Sequence, residues 1–195
     1  RNGKQYQVKL ETQFPLNGII SITVSGKACS KIAIRHPAWS SGVKIKKNGR
    51  EILCERSESG YILVDLDSQE INKIDLELQM EPIIIAANRK ISYDARKAAI
   101  VMGPLLYCFE SIDNGTEIEE LGLYAQGELE TKRNSIAGKE INTIYAKGAR
   151  RRELAGDTLY GVYQEMKEDV KLTAIPYFLW NNRGEGEMKV WIPVE

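Results

Sequence analysis

The sequence contains one histidine, His36, and three widely separated cysteines, Cys29, Cys54 and Cys108, in 195 residues. A structural or catalytic zinc takes about four ligands at short paired spacings, and no such cluster exists here. An odd number of cysteines without a dense pattern speaks against a disulfide scaffold and reads as buried thiols, with the cytoplasm favoured as compartment. Nucleophilic Cys–His chemistry would require His36 to meet one of the three thiols and a third orienting group. Surplus charge is also lacking. Lys plus Arg and Asp plus Glu both count 27, whereas a nucleic-acid partner would ask for a basic excess against its phosphates. No apolar run approaches the roughly 20 residues that span a bilayer, so no membrane partner is expected. Neither a glycine-rich phosphate loop nor a serine nucleophile elbow occurs. The chain starts at Arg1 with no charged region and apolar stretch behind it, and is expected to be a piece of something longer.

What is present is period two. Tyr6, Val8, Leu10 and Thr12 alternate with polar residues, as do Ile20, Ile22 and Val24, then Val43 and Ile45, then Ile74, Leu76, Leu78 and Met80. Such alternation places one set of side chains on a buried sheet face and the other in water. Asn48-Gly49, between Val43/Ile45 and Ile52/Leu53, accepts the positive φ angles of a tight hairpin turn. Short strands with no long helical period among them predict an all-β chain of antiparallel sandwiches. After Pro82 the texture changes: apolar runs at 83–87 and 98–102 precede Gly103-Pro104, read as a bulge or a switch between sheets. Residues 111–133 are polar and read as loop with one helical turn near 117–124. Strands are expected again at 141–146, 159–163, 170–175 and 188–194.

Three stretches carry candidate chemistry. In Arg35-His36-Pro37-Ala38-Trp39, Trp39 is either an exposed platform for a sugar ring, with His36 as proton carrier, or a packed strand terminus. The burial habit of tryptophan favours packing. Glu110 ends the strand after Gly103-Pro104 and is a conceivable catalytic carboxylate, but glycosidase chemistry needs two carboxyls at a set separation. In 175–184, Trp180 and Arg183 stand among aromatics and amides, residue types that contact carbohydrate and that also cap a sandwich. Asp65, Asp67 and Glu70 are spaced loosely like calcium ligands without the glycine such a loop needs, and read as a strand end and turn. Arg150-Arg151-Arg152 reads as a solvated basic face. The candidate carbohydrate contacts are therefore Trp39, Trp180 and Arg183, with no catalytic and no metal-binding residue expected in this chain.

In order, these stretches resemble the C-terminal region of glycoside hydrolase family 127, the β-L-arabinofuranosidase family. The resemblance rests on Thr12-Gln13-Phe14-Pro15-Leu16-Asn17-Gly18, on Arg35, Pro37 and Trp39, on the hairpin Asn48-Gly49 and on Gly60-Tyr61. It continues at Gly103, Pro104, Leu105, Tyr107 and Glu110, and closes on Ile175, Pro176, Tyr177, Trp180, Asn182, Arg183 and Gly184 with Met188, Val190 and Trp191. The turn at 65–70 departs from the family's pattern. The resemblance implies a bacterial enzyme with an (α/α)6 catalytic barrel ahead of β-sandwich domains. A zinc-bound cysteine nucleophile and a glutamate acid/base would lie in that barrel. Zinc is thus implied only for the barrel, and Cys29, Cys54 and Cys108 inherit no role. The strand pattern divides the chain into two sandwiches, 1–90 and 91–183, with the boundary between about Pro82 and Asp94, and the family further suggests that 184–195 rejoins the first, with the second inserted. The expected function is a non-catalytic fragment that supports and stabilises its own catalytic barrel, with homodimerisation as a further expectation. Two rivals stand beside it: a free-standing carbohydrate-binding module, and a small enzyme using His36 and Glu110.

Overall fold

A computed structural model describes residues 6–26, 31–54, 57–67, 71–152 and 159–195. The chain divides into two compact units, Arg1–Glu81 and Pro82–Glu195. Both are built from antiparallel sheets, as the alternating pattern requires.

The first unit contains β1 (Gln7–Thr12), β2 (Ile19–Ser25), β3 (Lys31–Arg35), β4 (Val43–Lys47), β5 (Arg50–Glu51), β6 (Tyr61–Asp65) and β7 (Ile71–Leu78). One sheet runs β1-β2-β7-β4-β5, and β3 pairs with β6 in a second. Ile22 and Val24 of β2, Ile45 of β4, and Ile74 and Leu76 of β7 pack with Ile62 and Val64 of β6, which makes a two-layer sandwich. The β4–β5 hairpin turns at Asn48 (φ 49°) and Gly49 (φ 80°), with Lys47 opposite Arg50. Two successive positive φ values are what the Asn-Gly pair allows.

β1 departs from expectation in one respect. It forms a strand, but its alternating apolar residues are not buried. Val8 lies opposite Val24 and Leu10 opposite Ile22, which places them on the sheet's inner face. Yet Tyr6, Val8 and Leu10 remain 57%, 52% and 61% exposed. A two-stranded cover spans less than a five-stranded sheet, so the inner face runs out from under it at this edge.

The second unit contains β8 (Pro82–Ala86), β9 (Lys97–Met102), β10 (Leu105–Glu110), a short helix α1 (Ser111–Asn114), β11 (Leu121–Leu123), β12 (Glu130–Ile136), β13 (Lys139–Arg152), β14 (Met166–Pro176), β15 (Met188–Lys189) and β16 (Ile192–Pro193). Hydrogen bonding passes from β9 through β10, β14 and β13 to β11. From there a parallel bridge between Leu123 and Val194 leads to β16, which pairs back onto β9. The strands thus close a circuit around Ile100, Tyr107, Phe109, Leu123, Ile144, Leu172 and Ile192, all buried. Tyr107 satisfies its buried hydroxyl by donating to the Asn142 carbonyl at 3.0 Å.

Several segments differ from the sequence reading. Gly103-Pro104 is a two-residue hairpin turn, with Gly103 at φ 58° and Met102 opposite Leu105, rather than a bulge. Residues 188–193 pair with β9 and β10, inside the second unit and not in the first. Ile192 is fully buried opposite Ala98, and the Glu195 side chain accepts hydrogen bonds from Arg151, which holds residues 192–195 there. Residues 159–163 are exposed and form no strand. The basic run 150–152 lies on β13 with each guanidinium engaged: Arg150 donates to the Asn114 and Thr116 carbonyls, Arg151 pairs with Glu165 and Glu195, and Arg152 with Glu117 and Glu120.

Candidate functional site

The register of β10 against β14, Tyr107 opposite Pro176 and Cys108 opposite Ile175, brings the end of β10 beside the turn that follows β14. That turn opens with a single 3-10 turn, Tyr177–Leu179, anchored by the buried Leu179. Asn181 then takes a positive φ of 62° and reverses the chain toward Arg183. Glu110, buried at the strand end, accepts the Asn181 N–H at 2.9 Å on Oε1 and the Arg183 guanidinium on Oε2. The guanidinium also forks onto Asp113 of α1, Nη1 to Oδ1 at 2.9 Å and Nη2 to Oδ2. Such a two-pronged arginine–carboxylate pair fixes orientation as well as charge. The hydrogen bonds that Arg183 donates to Asp113 chiefly raise its pKa, so its charge is permanent.

This geometry assigns Arg183 a structural task. Its charge is met by two carboxylates within the protein, and it clamps the aromatic turn against β10. Glu110 and Asp113 share one nitrogen, Nη2, and neither stands free as an acid or base. Trp180 lies outside the clamp. It is exposed and stacks on Tyr177, centroids 6.0 Å apart and planes at 26°. Tyr177 and Phe178 of the same turn are exposed as well.

Trp39 belongs to the first unit, where it is half-buried and stacks on Phe14 at 6.2 Å and 19°. The loop carrying Phe14 is knitted by short bonds: Thr12 Oγ1 donates to the Ile19 carbonyl at 2.7 Å and accepts from the Phe14 N–H at 2.9 Å. The Asn17 side chain accepts from the Ile19 N–H at 3.0 Å. That motif therefore builds the β1–β2 connection and seats Phe14 on Trp39. His36 is buried, and neither ring nitrogen has a hydrogen-bond partner among the described residues.

The described cysteines are unsuited to nucleophilic work. Cys108 is fully buried, and burial pushes its thiol up to about 12. Burial, with the nearby Asp65 carboxylate, also raises Cys54. Cys29 lies outside the described residues. Among the described residues no group of three or more His, Cys, Asp or Glu side chains is placed to hold a metal ion. Asp67 instead receives Lys47 at 2.6 Å and the Asn48 amide at 3.2 Å, bracing the Asn48-Gly49 hairpin, and Asp65 pairs with Lys31. Glu70 lies outside the described residues. No helix among the described residues is long and apolar enough to cross a membrane.

Sequence reading found Arg183, Trp180 and Glu110 but not Asp113, whose partner stands 70 positions away. These features define an all-β chain of two units in which Arg183, Glu110, Asp113 and Asp67 serve the fold. Residues 82–193 match the family model described as the glycoside hydrolase family 127 C-terminal domain. Residues 1–80 match that of the β-L-arabinofuranosidase GH127 middle domain. The chain belongs to glycoside hydrolase family 127.

It is similar to the non-reducing end β-L-arabinofuranosidase of Bifidobacterium longum subsp. longum, 28% identical over 198 residues that cover 94% of this chain and 30% of that protein. It is also similar to Ara127N-Se, a GH127 β-L-arabinofuranosidase from Geobacillus stearothermophilus T6. There the identity is 29% and the TM-score 0.87, covering 100% of this chain and 31% of that one. Another GH127 β-arabinofuranosidase, 23% identical, shares the fold with a TM-score of 0.83 over 98% of this chain and 32% of that one. The chain thus spans about a third of the length of the relatives it matches. The organisms of the two named relatives agree with the bacterial origin expected.

Proposed function

We propose that this chain is the non-catalytic C-terminal part of a β-L-arabinofuranosidase-like glycosidase, and that it supports and stabilises the catalytic barrel of such an enzyme. The observation that carries this reading is the bare inner face of β1. Val8 and Leu10 continue the first unit's core face with no cover among the described residues, and Tyr6 beside them is exposed as well. A contiguous apolar strip of this kind marks an interface when it interrupts an otherwise polar surface. The family's own size, about three times that of this chain, supplies the occupant: the barrel that precedes these domains. Zinc and the reacting cysteine would belong to that barrel.

Two measurements test this. The purified chain incubated with p-nitrophenyl β-L-arabinofuranoside and zinc should give no turnover, and metal-dependent hydrolysis by the chain alone would overturn the assignment. Sedimentation should show the isolated chain self-associating through β1, and Val8→Lys with Leu10→Lys should restore a monomer. If the unaltered chain is strictly monomeric at high concentration, the β1 strip is no docking face.

A further inference from the structure

A concave surface lined by none of the Arg183 clamp residues lies beside β13 and β14. β11 and β12 both pair with the same edge of β13, β11 beside its C-terminal half and β12 beside its N-terminal half. The connection between them, residues 124–129, leaves the sheet at Tyr124, whose N–H donates to the Lys147 carbonyl at 3.1 Å. The resulting cavity, about 620 Å³, is lined by Tyr124, Tyr145, Glu128, Lys147, Asp169 and Lys171 among others. Pockets that hold small ligands occupy about 300–1,000 Å³ and combine apolar or aromatic walls with a few placed polar groups.

We propose that this groove between Tyr124 and Tyr145 binds a neutral oligosaccharide. Tyrosine offers a flat ring for the C–H face of a sugar and a hydroxyl for its polar edge. Both rings are held in place. Tyr124 donates its hydroxyl to Asp169 Oδ1 at 2.5 Å, with the Lys167 ammonium 4.9 Å from its centroid. Tyr145 lies opposite Glu130 in the register, and its hydroxyl accepts from the Asn134 amide at 3.2 Å. The Lys171 ammonium sits 4.1 Å from the Tyr145 centroid and Lys132 5.6 Å away, so the ring's π-face already receives positively polarised groups. A sugar's C–H bonds present the same polarity, and a sugar on this face takes the place of the Lys171 ammonium, which stays tethered to Glu130 at 3.4 Å.

The polar complement suits hydroxyls rather than charges. Glu128, Glu130 and Asp169 are set against Lys147 and Lys171 in the lining and Lys132 and Lys167 over the rings, a near balance without the strong basic excess that a phosphate or polyuronate calls for. The Lys147 ammonium makes no ion pair or hydrogen bond among the described residues and stands exposed in the groove as a donor for a sugar oxygen. This binding site goes beyond the supporting role proposed above, and does not depend on it.

The test is an amide NMR titration of the 195-residue chain with L-arabinotriose, cellotetraose and trigalacturonate. At least one neutral oligosaccharide should shift the Gly122, Gly127 and Gly148 amides in a saturable way, with Kd on the order of 1 mM. Tyr145→Ala should weaken binding about tenfold, and Tyr145→Phe should retain it. Should Tyr145→Ala fail to fold, Lys147→Ala on the exposed floor should still weaken binding about threefold with the melting temperature unchanged. No shift with either neutral ligand overturns the proposal, as does binding of trigalacturonate alone. Shifts confined to Trp180 and Asn182 would overturn it too, and would place the sugar on the aromatic turn instead. Activity and barrel docking do not enter this readout.

Discussion

Replacing Arg183 with leucine should be the most informative single change in the second unit. The guanidinium is the shared partner of Glu110 and Asp113. Its removal leaves the Glu110 carboxylate buried, with the Asn181 N–H as the hydrogen bond that remains to it from this cluster. Breaking a buried ion pair by taking away one member costs about 3–5 kcal/mol. Arg183 and Asp113 side chains are each 19% exposed, so water relieves part of the penalty and about 3 kcal/mol is expected. At about 4 °C per kcal/mol for a unit of this size, the second unit should melt about 12 °C lower. Glu110→Gln keeps an acceptor for Asn181 and removes the charge, so it should cost about 1–2 kcal/mol. The double variant should cost less than the sum of the two singles, because Glu110 is no longer left in it as an unpaired buried charge. Differential scanning calorimetry measures all three, and Trp180 emission reports loosening of the turn. A shift below about 4 °C for Arg183→Leu, or strict additivity in the double variant, would refute the clamp.

Two further outcomes follow from the structure. The Cys108 thiol is held up near 12 by burial, so the native state favours its neutral form. The stability it contributes is fully present below the unfolded thiol pKa and is lost as pH rises through the folded value. Between about pH 9 and 12 the second unit should lose up to about 1.4 kcal/mol per pH unit, and Cys108→Ser or Cys108→Ala should flatten that slope in alkaline melts. Glycines probe the two units separately. A Cβ on Gly18 would stand 2.1 Å from the Leu78 carbonyl oxygen, and one on Gly148 2.3 Å from that of Gly122. Gly18→Ala should therefore lower the first unit's transition and Gly148→Ala the second's, each by about 1–3 kcal/mol in calorimetry. A single shared transition moved equally by both would contradict two independently packed units.

The strands with a buried face were legible because alternation survives in their residues: Ile20, Ile22 and Val24, or Ile74, Leu76 and Leu78. The Asn48-Gly49 hairpin was legible for a local reason, since two positive φ values need those residues. β12 was not, because it is an outer strand with a largely exposed pattern, and solvent imposes no apolar period. The length of β13 was hidden by Arg150, Arg151 and Arg152, whose acidic partners are distant in sequence. Val8 and Leu10 misled in the opposite sense: their alternation announces a buried face that the described residues do not cover. At the aromatic turn, Arg183 carried the signature of a carbohydrate contact, yet Glu110 and Asp113 claim its guanidinium. Residue type gave the chemistry available, and only register decided who received it. The Tyr124–Tyr145 groove left no trace in the sequence for the same reason.

The circuit in the second unit has a bearing on how the chain comes to be made. Ala98 finds its partner in Ile192, and Leu123 bridges Val194. The ring that encloses Tyr107 and Phe109 is thus open until residues 192–194 exist, and partners so far apart in sequence meet slowly. During synthesis the first unit can complete its own sheet while the second still lacks its closing strand. Residues 192–194 then act as a latch, and their loss would leave an opened, sticky wall.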